Sequence, residues 1–410
     1  MSSSTPWHTD RWFTSPWNHD EEMGDLQFPS AIEIHDVTLR DGEQQAGVEF
    51  RADDKIRIAE ALAEAGIQRI EAGLPAVSAD DEKAVREIAS RDLGDTKVYA
   101  FSRCMVPDVQ KAIDCGVHGV VMEIPSSKHL IELGYRWSLD RAIDLSIEAT
   151  TVAHEAGLQV SFFPIDATRA SVTDYLNLVE RVATDGHVDA LGLVDTFGVL
   201  TPHAVERFVK VSRERLNVPL ETHLHQDYGL GVANSLIAAV AGAACLQTTV
   251  GGLGERAGNT PTEETVLALL TLYNQDIGIK TEKLTGVSRL VMELAGVSQP
   301  GNRPITGETL FNVESGIIAT WVRNVRDVDL TEVVPYLPSL VGQPGPTIVL
   351  GKGSGIDNIA EALERLGMKA DDEQKMEMLL QVKSKSLEKR DLLDDDEFTE
   401  IAEDVLGTRA

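Results

Sequence analysis

The feature that most constrains the fold is an alternation of short β-branched runs and helix-like segments that begins near residue 30. Strands that alternate with helices favour parallel βαβ units, and eight such units favour a (β/α)8 barrel. A doubly wound open sheet is the main alternative, but no GxGxxG motif follows the first strand. The predicted strands are 32–39, 69–75, 97–103, 119–125, 159–166, 190–196, 220–227 and 246–254, with helices between them at 53–65, 79–90, 140–156, 172–184 and 202–216.

The sequence predicts three parts. Residues 29–285 form the barrel. Residues 1–28 form a separate arm with three tryptophans, Trp7, Trp12 and Trp17, which we expect to pack onto the bottom of the barrel or onto a partner subunit. Residues 286–410 lose the strand-helix rhythm and end in charged helices predicted at 372–389 and 395–406. The predicted fold class is therefore α/β, a TIM barrel with a smaller, mostly helical C-terminal domain.

Composition argues against several classes of partner. The 37 basic and 66 acidic residues give a formal net charge of −29, which repels nucleic acid phosphates and anionic lipid. No apolar run approaches the roughly 18 residues of a membrane span, and the N-terminus lacks the order of a signal peptide. The three cysteines (Cys104, Cys115 and Cys245) show no CxxC spacing, which fits a reducing cytoplasm. We therefore expect a cytoplasmic protein that acts on small molecules.

Two histidines at the end of the seventh predicted strand indicate a metal site. Alternate side chains of a strand share a face, so His223 and His225 point the same way, with Cα atoms about 6.6 Å apart. Barrel active sites form at the C-terminal ends of the strands, where Asp41 follows the first strand and Asn259 follows the eighth. A mixed nitrogen and oxygen set without thiolates suits Mg, Mn, Co or catalytic Zn.

Further polar residues at the same strand ends are candidates for substrate binding and catalysis. Arg40 would place a fixed positive charge beside the ion, where both could bind a 2-oxo acid and stabilise a developing alkoxide or enolate. The alternative for Arg40 is a structural salt bridge with Glu71 or Asp36. Thr196 could donate a hydrogen bond to the substrate carboxylate or simply end its strand, and Glu71 could orient a water molecule or pair with an arginine. The candidate substrate-binding residues are Arg40, Gln44, Arg169 and Thr196.

Three motifs carry a family resemblance. They read Asp-Val-Thr-Leu-Arg-Asp-Gly-Glu-Gln at 36–44, His-Leu-His-Gln-Asp-Tyr-Gly-Leu-Gly-Val-Ala-Asn-Ser at 223–235 and Gly-Leu-Gly-Glu-Arg-Ala-Gly-Asn at 252–259. Together they resemble the DRE-TIM metallolyase superfamily, and within it the 2-isopropylmalate, homocitrate and citramalate synthases. The resemblance implies an acyl-CoA co-substrate, a homodimer and a role in amino-acid biosynthesis. It also implies that Arg40 stabilises enolate-like charge, that Thr196 contacts the 2-oxo acid, and that a divalent metal (Mg, Mn, Zn or Co) is held by Asp41, His223, His225 and Asn259.

The C-terminal part departs from the family pattern. Residues 311–318 and 350–355 resemble the segments Phe-x-His-x-Ser-Gly-Ile-His and Leu-Gly-Lys-His-Ser-Gly of the synthases, but the histidines are replaced by Val313, Ile318 and Gly353. The resemblance implies that a histidine of the first segment assists deprotonation of acetyl-CoA, and an aliphatic side chain cannot accept a proton. We expect either that Glu314 or Tyr336 takes this role or that the reaction differs.

The predicted function is a metal-dependent condensation of an acyl-CoA with a 2-oxo acid, with Arg40, Glu71, Glu314 and Tyr336 as candidate catalytic residues. The alternative is a metal-dependent carbon–carbon lyase or aldolase acting on a 2-hydroxy or 2-oxo acid. Related hydroxymethylglutaryl-CoA lyases carry a reactive cysteine in the loop after the eighth strand, whereas the corresponding loop here has no thiol. A non-enzymatic metal-binding protein is disfavoured because Arg40 and all the ligand candidates are intact.

Overall fold

The computed structural model describes residues 5–20 and 26–408, which divide into two compact units. One unit runs from Asp20 to Gln299, and the other combines the N-terminal segment up to His19 with the chain from Pro300 onward. The expected boundary was at residue 285. The larger unit extends further because its last helix, Leu284–Ala295, packs against the first helix of the barrel.

The larger unit is a closed barrel of eight parallel strands in sequential order, so the predicted TIM barrel is confirmed. Each strand pairs with the next, and the first also pairs with the eighth. The strands are β1 (Glu33–Asp36), β2 (Arg69–Glu71), β3 (Lys97–Arg103), β4 (Gly119–Pro125), β5 (Gln159–Ile165), β6 (Ala190–Asp195), β7 (Leu220–Leu224) and β8 (Cys245–Thr248).

Nine α-helices accompany the strands in the described part of this unit. The five helices that periodicity predicts agree within one residue at each end. Three of these five helices begin after a serine, Ser78, Ser138 or Ser171, whose side chain accepts a hydrogen bond from a backbone N–H group of the first turn. The helices are α1 (Ala52–Ala65), α2 (Ala79–Ala89), α3 (Val106–Cys115), α4 (Leu139–Glu155), α5 (Val172–Asp185), α6 (Pro202–Arg215), α7 (Gly231–Ala241), α8 (Thr262–Tyr273) and α9 (Leu284–Ala295).

Several strands end earlier than predicted, and the residues beyond them form the loops of the barrel mouth. After β1, the backbone N–H groups of Arg40, Asp41 and Gly42 all donate to the carbonyl oxygen of Val37, which turns the chain away from the sheet. Short helical turns in this unit are Gly42–Gln44, Leu130–Tyr135, Ala167–Arg169, Val250–Gly252 and Thr281–Lys283. The polar residues of the loops that follow the strands therefore lie at one end of the barrel.

The smaller unit is mostly helical, as predicted. Its two charged helices match the predicted bounds, and they pack around buried residues such as Met378 and Phe398. Its elements are β9 (Asn312–Val313), α10 (Gly316–Val325), β10 (Thr347–Ile348), α11 (Ile356–Leu366), α12 (Asp372–Lys389) and α13 (Asp395–Leu406), with short turns at Pro16–His19, Leu330–Glu332 and Pro338–Val341.

The described part of the N-terminal arm packs within this smaller unit. Trp12 is buried and pairs with Tyr336 in an isolated β-bridge, and Leu337 N–H donates to the carbonyl oxygen of Arg11. Trp12 thus packs within the smaller unit, and packing of the arm onto a partner subunit stays a prediction. Trp17 remains 77% exposed.

No helix in the described ranges has the length and apolar character needed to cross a lipid bilayer. All three cysteines are buried and unpaired.

Asp36 on β1 is a fully buried carboxyl group whose burial affects the stability of the fold. Burial raises the pKa of its carboxyl group from 3.8 to about 7, although Thr38 N–H and the Thr262 hydroxyl donate to it. The folded state therefore holds a proton that the unfolded state releases, and stability contributed by the protonated form is lost as the pH rises from 3.8 to about 7.

We expect Asp36→Asn, a neutral isostere, to lack this loss. Relative to the wild type, its free energy of unfolding should gain a few kcal/mol over that pH range, at about 1.4 kcal/mol per unit of pKa shift. Urea unfolding followed by circular dichroism at several pH values measures the difference. A difference that stays constant with pH would contradict the assignment.

Candidate metal centre and active site

The candidate metal ligands converge at the C-terminal end of the barrel. His223 lies on β7, His225 follows that strand directly, and Asp41 lies in the turn after β1. Asn259, in the loop after β8, pairs with His225 in an isolated β-bridge. All four side chains are buried. The closed barrel thus brings together residues that are more than 200 positions apart in the sequence.

The ligand atoms have the spacing expected around a single cation. His223 Nε2 lies 3.3 Å from His225 Nε2 and 3.3 Å from Asp41 Oδ2. Asn259 Nδ2 donates to Asp41 Oδ1 at 2.9 Å. Metal bonds of about 2.1 Å place neighbouring ligand atoms about 3 Å apart, so these side chains fit a divalent ion.

Hydrogen bonding around the cluster leaves its metal-binding atoms available. His223 Nδ1 contacts Gln247 Oε1 at 2.9 Å, so Nδ1–H can donate to the amide and leave the Nε2 lone pair free. Asn259 Oδ1 is buried and has no hydrogen-bond partner. Such an unsatisfied acceptor beside a carboxylate and two imidazoles is expected at a cation site.

The electrostatics keep His225 and Asp41 in their metal-binding protonation states. Burial, followed by the nearby His223, lowers the pKa of His225 from 6.5 to about 4. Although burial opposes it, the Arg40 guanidinium holds the pKa of the Asp41 carboxyl well below its usual range. A neutral imidazole and an ionised carboxylate are the forms that bind metal.

Arg40 connects this cluster to β2 and β3. Its Nε donates to Glu71 Oε1, its Nη1 donates to Asp41 Oδ2 at 2.6 Å, and Gln44 Oε1 lies 3.4 Å from Nη1. Its Cζ lies 4.0 Å from the ring centre of Phe101. Arg40 Nη2 is buried without a protein partner and is therefore a donor available to a bound ligand.

The loop that carries Arg40 and Asp41 is anchored by a buried lysine. Lys55 Nζ lies 2.6 Å from Glu43 Oε2 and 2.5 Å from Asp81 Oδ1. A cleft of about 630 Å³ opens beside this loop. Its lining includes Arg40, Gln44, Phe50, Leu74 and Val77.

A family model described as HMGL-like matches residues 31–291, which is more than half of the chain. The chain belongs to the HMGL-like family. The resemblance stated from its motifs is therefore confirmed.

Relatives of this HMGL-like chain include synthases of three kinds. It is 37% identical to homocitrate synthase AksA of Methanopyrus kandleri, over 95% of this chain and 96% of that protein. It is 36% identical to the 2-isopropylmalate synthase of Methanocaldococcus jannaschii, over 95% of this chain and 74% of that protein. It is 37% identical to a putative (R)-citramalate synthase of M. kandleri, over 95% of this chain and 75% of that protein.

Solved structures share the barrel fold. The hydroxymethylglutaryl-CoA lyase of Pseudomonas aeruginosa aligns with a TM-score of 0.61 at 21% identity, covering 69% of this chain and 98% of the lyase. The HMG-CoA lyase of Bacillus subtilis also aligns with a TM-score of 0.61 at 21% identity, covering 67% of this chain and 97% of the lyase.

The remaining barrel candidates of this HMGL-like chain cluster around Asp166. The Thr196 hydroxyl accepts a hydrogen bond from Asp166 N–H at 2.7 Å, which leaves its own proton available to a ligand. Arg169 donates two hydrogen bonds to the Asp166 carboxylate, at 2.6 and 3.0 Å, and stacks on Phe197. Asp166 has a φ of 60°, which is uncommon for a non-glycine residue and fits a constrained functional loop.

The two candidate bases lie in the smaller unit. Glu314 Oε1 accepts a hydrogen bond from Gly353 N–H at 2.7 Å. The Tyr336 ring packs edge-on against Phe311 at 5.9 Å. Val313 and Ile318, where the sequence departs from the motifs that carry the resemblance, pack against a small cluster formed by Ala319, Val322 and Ile348.

Sequence reasoning missed Gln247. It lies on β8 opposite His223 in the strand register, and its amide contacts the imidazole of that histidine. The contact of Gln247 with His223 depends on how β7 and β8 pair in the barrel, and that register cannot be predicted from a local sequence pattern.

The cluster gives a direct prediction for metal binding. We expect His223→Ala to weaken Mn²⁺ binding by more than about 100-fold because it removes a ligand nitrogen. Gln247→Leu keeps every ligand but no longer orients His223, so a loss of about 10–100-fold is expected. Isothermal titration calorimetry of metal-free protein measures both affinities.

His203→Ala is the control because His203 is exposed and lies on α6, outside the cluster. Circular dichroism verifies the fold of each variant. Wild-type affinity in His223→Ala would exclude this histidine as a ligand.

Proposed function

We propose that this HMGL-like chain catalyses a divalent-metal-dependent Claisen-type condensation of an acyl-CoA, acetyl-CoA in the first instance, with a 2-oxo acid. The products are an alkylmalate-type 2-hydroxy dicarboxylic acid and CoA. The observation that carries this proposal is the unpartnered Arg40 Nη2 beside the cluster of Asp41, His223, His225 and Asn259. The names of the relatives, which are homocitrate, isopropylmalate and citramalate synthases, support it.

The proposal assigns Asp41, His223, His225 and Asn259 to a divalent metal, for which Mg, Mn, Zn and Co are the candidates. When bound there, such an ion supplies Lewis-acid polarisation of the oxo-acid carbonyl. Gln247 orients His223 through its amide, and Asn259 Nδ2 orients the Asp41 carboxylate.

Arg40 is the proposed electrostatic catalyst. Its guanidinium is already held by Glu71 and Asp41, so it needs little reorganisation when negative charge develops on the substrate oxygen. The two carboxylates raise its pKa although burial opposes them, so Arg40 stays cationic. Glu71 thus positions Arg40, and Gln44 lies beside the same guanidinium as a substrate-binding candidate.

Thr196 and Arg169 are proposed to hold the oxo acid on the opposite side of the mouth. The Thr196 hydroxyl has a proton to donate to the substrate carboxylate because its oxygen already accepts from Asp166 N–H. Arg169 keeps its charge close to Thr196 through its pair with Asp166.

The reaction requires a base that removes a proton from the carbon next to the thioester carbonyl. The resulting carbanion attacks the oxo carbon, the oxo oxygen gains a proton, and hydrolysis of the thioester releases CoA. Glu314 and Tyr336 are the proposed candidates for the base. Glu314 keeps a carboxylate oxygen beyond the one that accepts from Gly353 N–H.

Carbon–carbon cleavage by a lyase or aldolase is the second candidate function. It is favoured because Val313 and Ile318 are aliphatic and pack against an apolar cluster, so neither can be the base that the condensation requires. Against it, the loop at 252–259 carries no cysteine.

We further propose that the protein works as a cytoplasmic homodimer on small molecules. The buried, unpaired cysteines fit a reducing compartment. Exposed Ile317 and Trp321, four residues apart on α10, give an apolar surface suited to a second copy.

An activity measurement tests the condensation. With Mn²⁺ or Mg²⁺ and acetyl-CoA, CoA release detected by a thiol reagent should depend on adding one of a panel of 2-oxo acids. We expect Arg40→Lys to lower kcat by at least about 100-fold, because lysine cannot reproduce the forked contacts to two carboxylates. Release that is equal with and without every oxo acid would refute the proposal, and wild-type turnover in Arg40→Lys would refute the role of Arg40.

A separate measurement tests the base. Exchange of the acetyl-CoA methyl protons with deuterated water reports deprotonation independently of the later steps. We expect Glu314→Gln or Tyr336→Phe to reduce this exchange by at least about 100-fold while Mn²⁺ affinity is unchanged. Glu332→Gln, an exposed carboxylate of the same unit, is the matched control. Wild-type exchange in both test variants would exclude Glu314 and Tyr336.

A further inference from the structure

An apolar cluster lies inside the barrel next to the proposed reaction site. Tyr99 and Phe101 on β3, Val121 on β4, Phe163 on β5 and Val194 on β6 form it, all of them buried. Their alternation along each strand places them on the inward face. Leu74 and Ile165, both partly buried, pack against the same cluster from the loop after β2 and the end of β5.

Two aromatic rings connect this cluster to the reactive groups. The Phe101 ring lies under the Arg40 guanidinium at 4.0 Å, and the Phe163 ring meets the His223 ring edge-on at 4.9 Å. The two phenylalanine rings also contact one another at 6.1 Å. A molecule that contacts both Arg40 and the metal ligands therefore has an apolar surface beside it.

A carboxylate of the protein lies beside this apolar cluster. Glu123 on β4 points inward two residues beyond Val121. The Tyr135 hydroxyl donates to Glu123 Oε1 at 3.4 Å. Burial raises the pKa of Glu123, and the positive charges of Arg40 and Arg103 oppose this rise. The protein itself thus contributes an acidic group on the inward side of β4.

The arginines of the barrel mouth are already paired with carboxylates of this chain. Arg103 donates to both oxygens of Asp108, at 2.6 and 3.1 Å. Arg169 is held by Asp166 in the same manner. Arg256 donates to both oxygens of Asp227, at 2.9 and 3.0 Å. The three arginine side chains are between 35% and 55% exposed, so these pairs alone do not exclude a second substrate carboxylate. The opposing group is Glu123, because a second carboxylate beside the apolar cluster would lie near its like charge.

We infer that the acceptor is a 2-oxo monocarboxylic acid with a short apolar side chain, which packs on Phe101 and Phe163, and that Glu123 excludes acceptors with a second carboxylate. This inference rests on the proposed condensation and names the substrate class of the same site. Glu123 is a specificity-determining residue, since its charge acts on the part of the substrate that does not react.

A matched pair of acceptors tests the inference directly. 2-Oxovalerate and 2-oxoglutarate have the same chain length and differ by a terminal methyl against a terminal carboxylate. We expect kcat/KM of the wild-type protein to favour 2-oxovalerate by at least about 100-fold. Assays are run over a series of pH values, because burial raises the pKa of Glu123 and the charge effect requires its ionised form, so the preference should increase with pH.

Two variants assign the effect to the named residues. Glu123→Gln should reduce the preference for 2-oxovalerate by at least about 10-fold, mainly through better use of 2-oxoglutarate. Glu148→Gln, which removes the same charge from an exposed position on α4, should leave the preference unchanged. Phe163→Leu should raise KM for 2-oxovalerate with a smaller effect on kcat, because contact with the unreactive chain is lost.

The outcomes separate this inference from the function on which it rests. CoA release that does not increase when any of the 2-oxo acids is added would overturn the proposed condensation. Release with a preference for 2-oxoglutarate would leave the condensation standing and overturn the inference. An unchanged preference in Glu123→Gln would overturn the role of Glu123. If that variant does not fold, the wild-type comparison of the two acceptors still decides the substrate class.

Discussion

The contacts of the Arg40 guanidinium are the interaction on which the proposed site depends. Arg40 lies between Asp41, in the turn after β1, and Glu71 on β2, and all three side chains are buried. Removing one member of such a group leaves an uncompensated buried charge, at a cost of about 3–5 kcal/mol. The same contacts orient Asp41 towards His223 and leave Nη2 available, so the stability of the barrel mouth and its chemistry have a common origin.

The charge of the site contrasts with that of the whole chain. A formal net charge of −29 repels anionic substrates, yet a 2-oxo acid and a CoA thioester are both anionic. Arg40 and the proposed cation supply local positive charge inside the barrel mouth. Glu123, the inward carboxylate of β4, is proposed to oppose this attraction where the substrate side chain would lie. This arrangement supports binding of the carboxylate and carbonyl groups of the oxo acid and selection among oxo acids by their side chains.

Much of the fold could be predicted from the sequence, because hydrophobic periodicity and end signals are local. The helices 372–389 and 395–406 begin after Asp371 and Asp394, whose side chains accept N–H groups of the first turn, and both were predicted correctly. The ends of β1 and β7 were predicted too late, since apolar residues such as Val37 and Leu39 continue into buried turns. The packing of Trp12 against Tyr336 joins residues at opposite ends of the chain, which no local pattern reveals.

The candidate site was predictable to a similar extent. Residues whose chemical type is distinctive, such as Asp41, His223 and His225, stood out in the sequence, and the structure brings them together. Gln247 did not, because a glutamine on a strand has no distinctive pattern and its partner depends on barrel register.

The most direct test of the account is crystallographic. Crystals of the protein grown with Mn²⁺ and measured above and below the manganese absorption edge locate the ion by its anomalous scattering. The account predicts one strong anomalous peak bounded by Asp41, His223, His225 and Asn259, with Arg40 beside it. A map without a peak at that position, or with its strong peak at other residues, would contradict it.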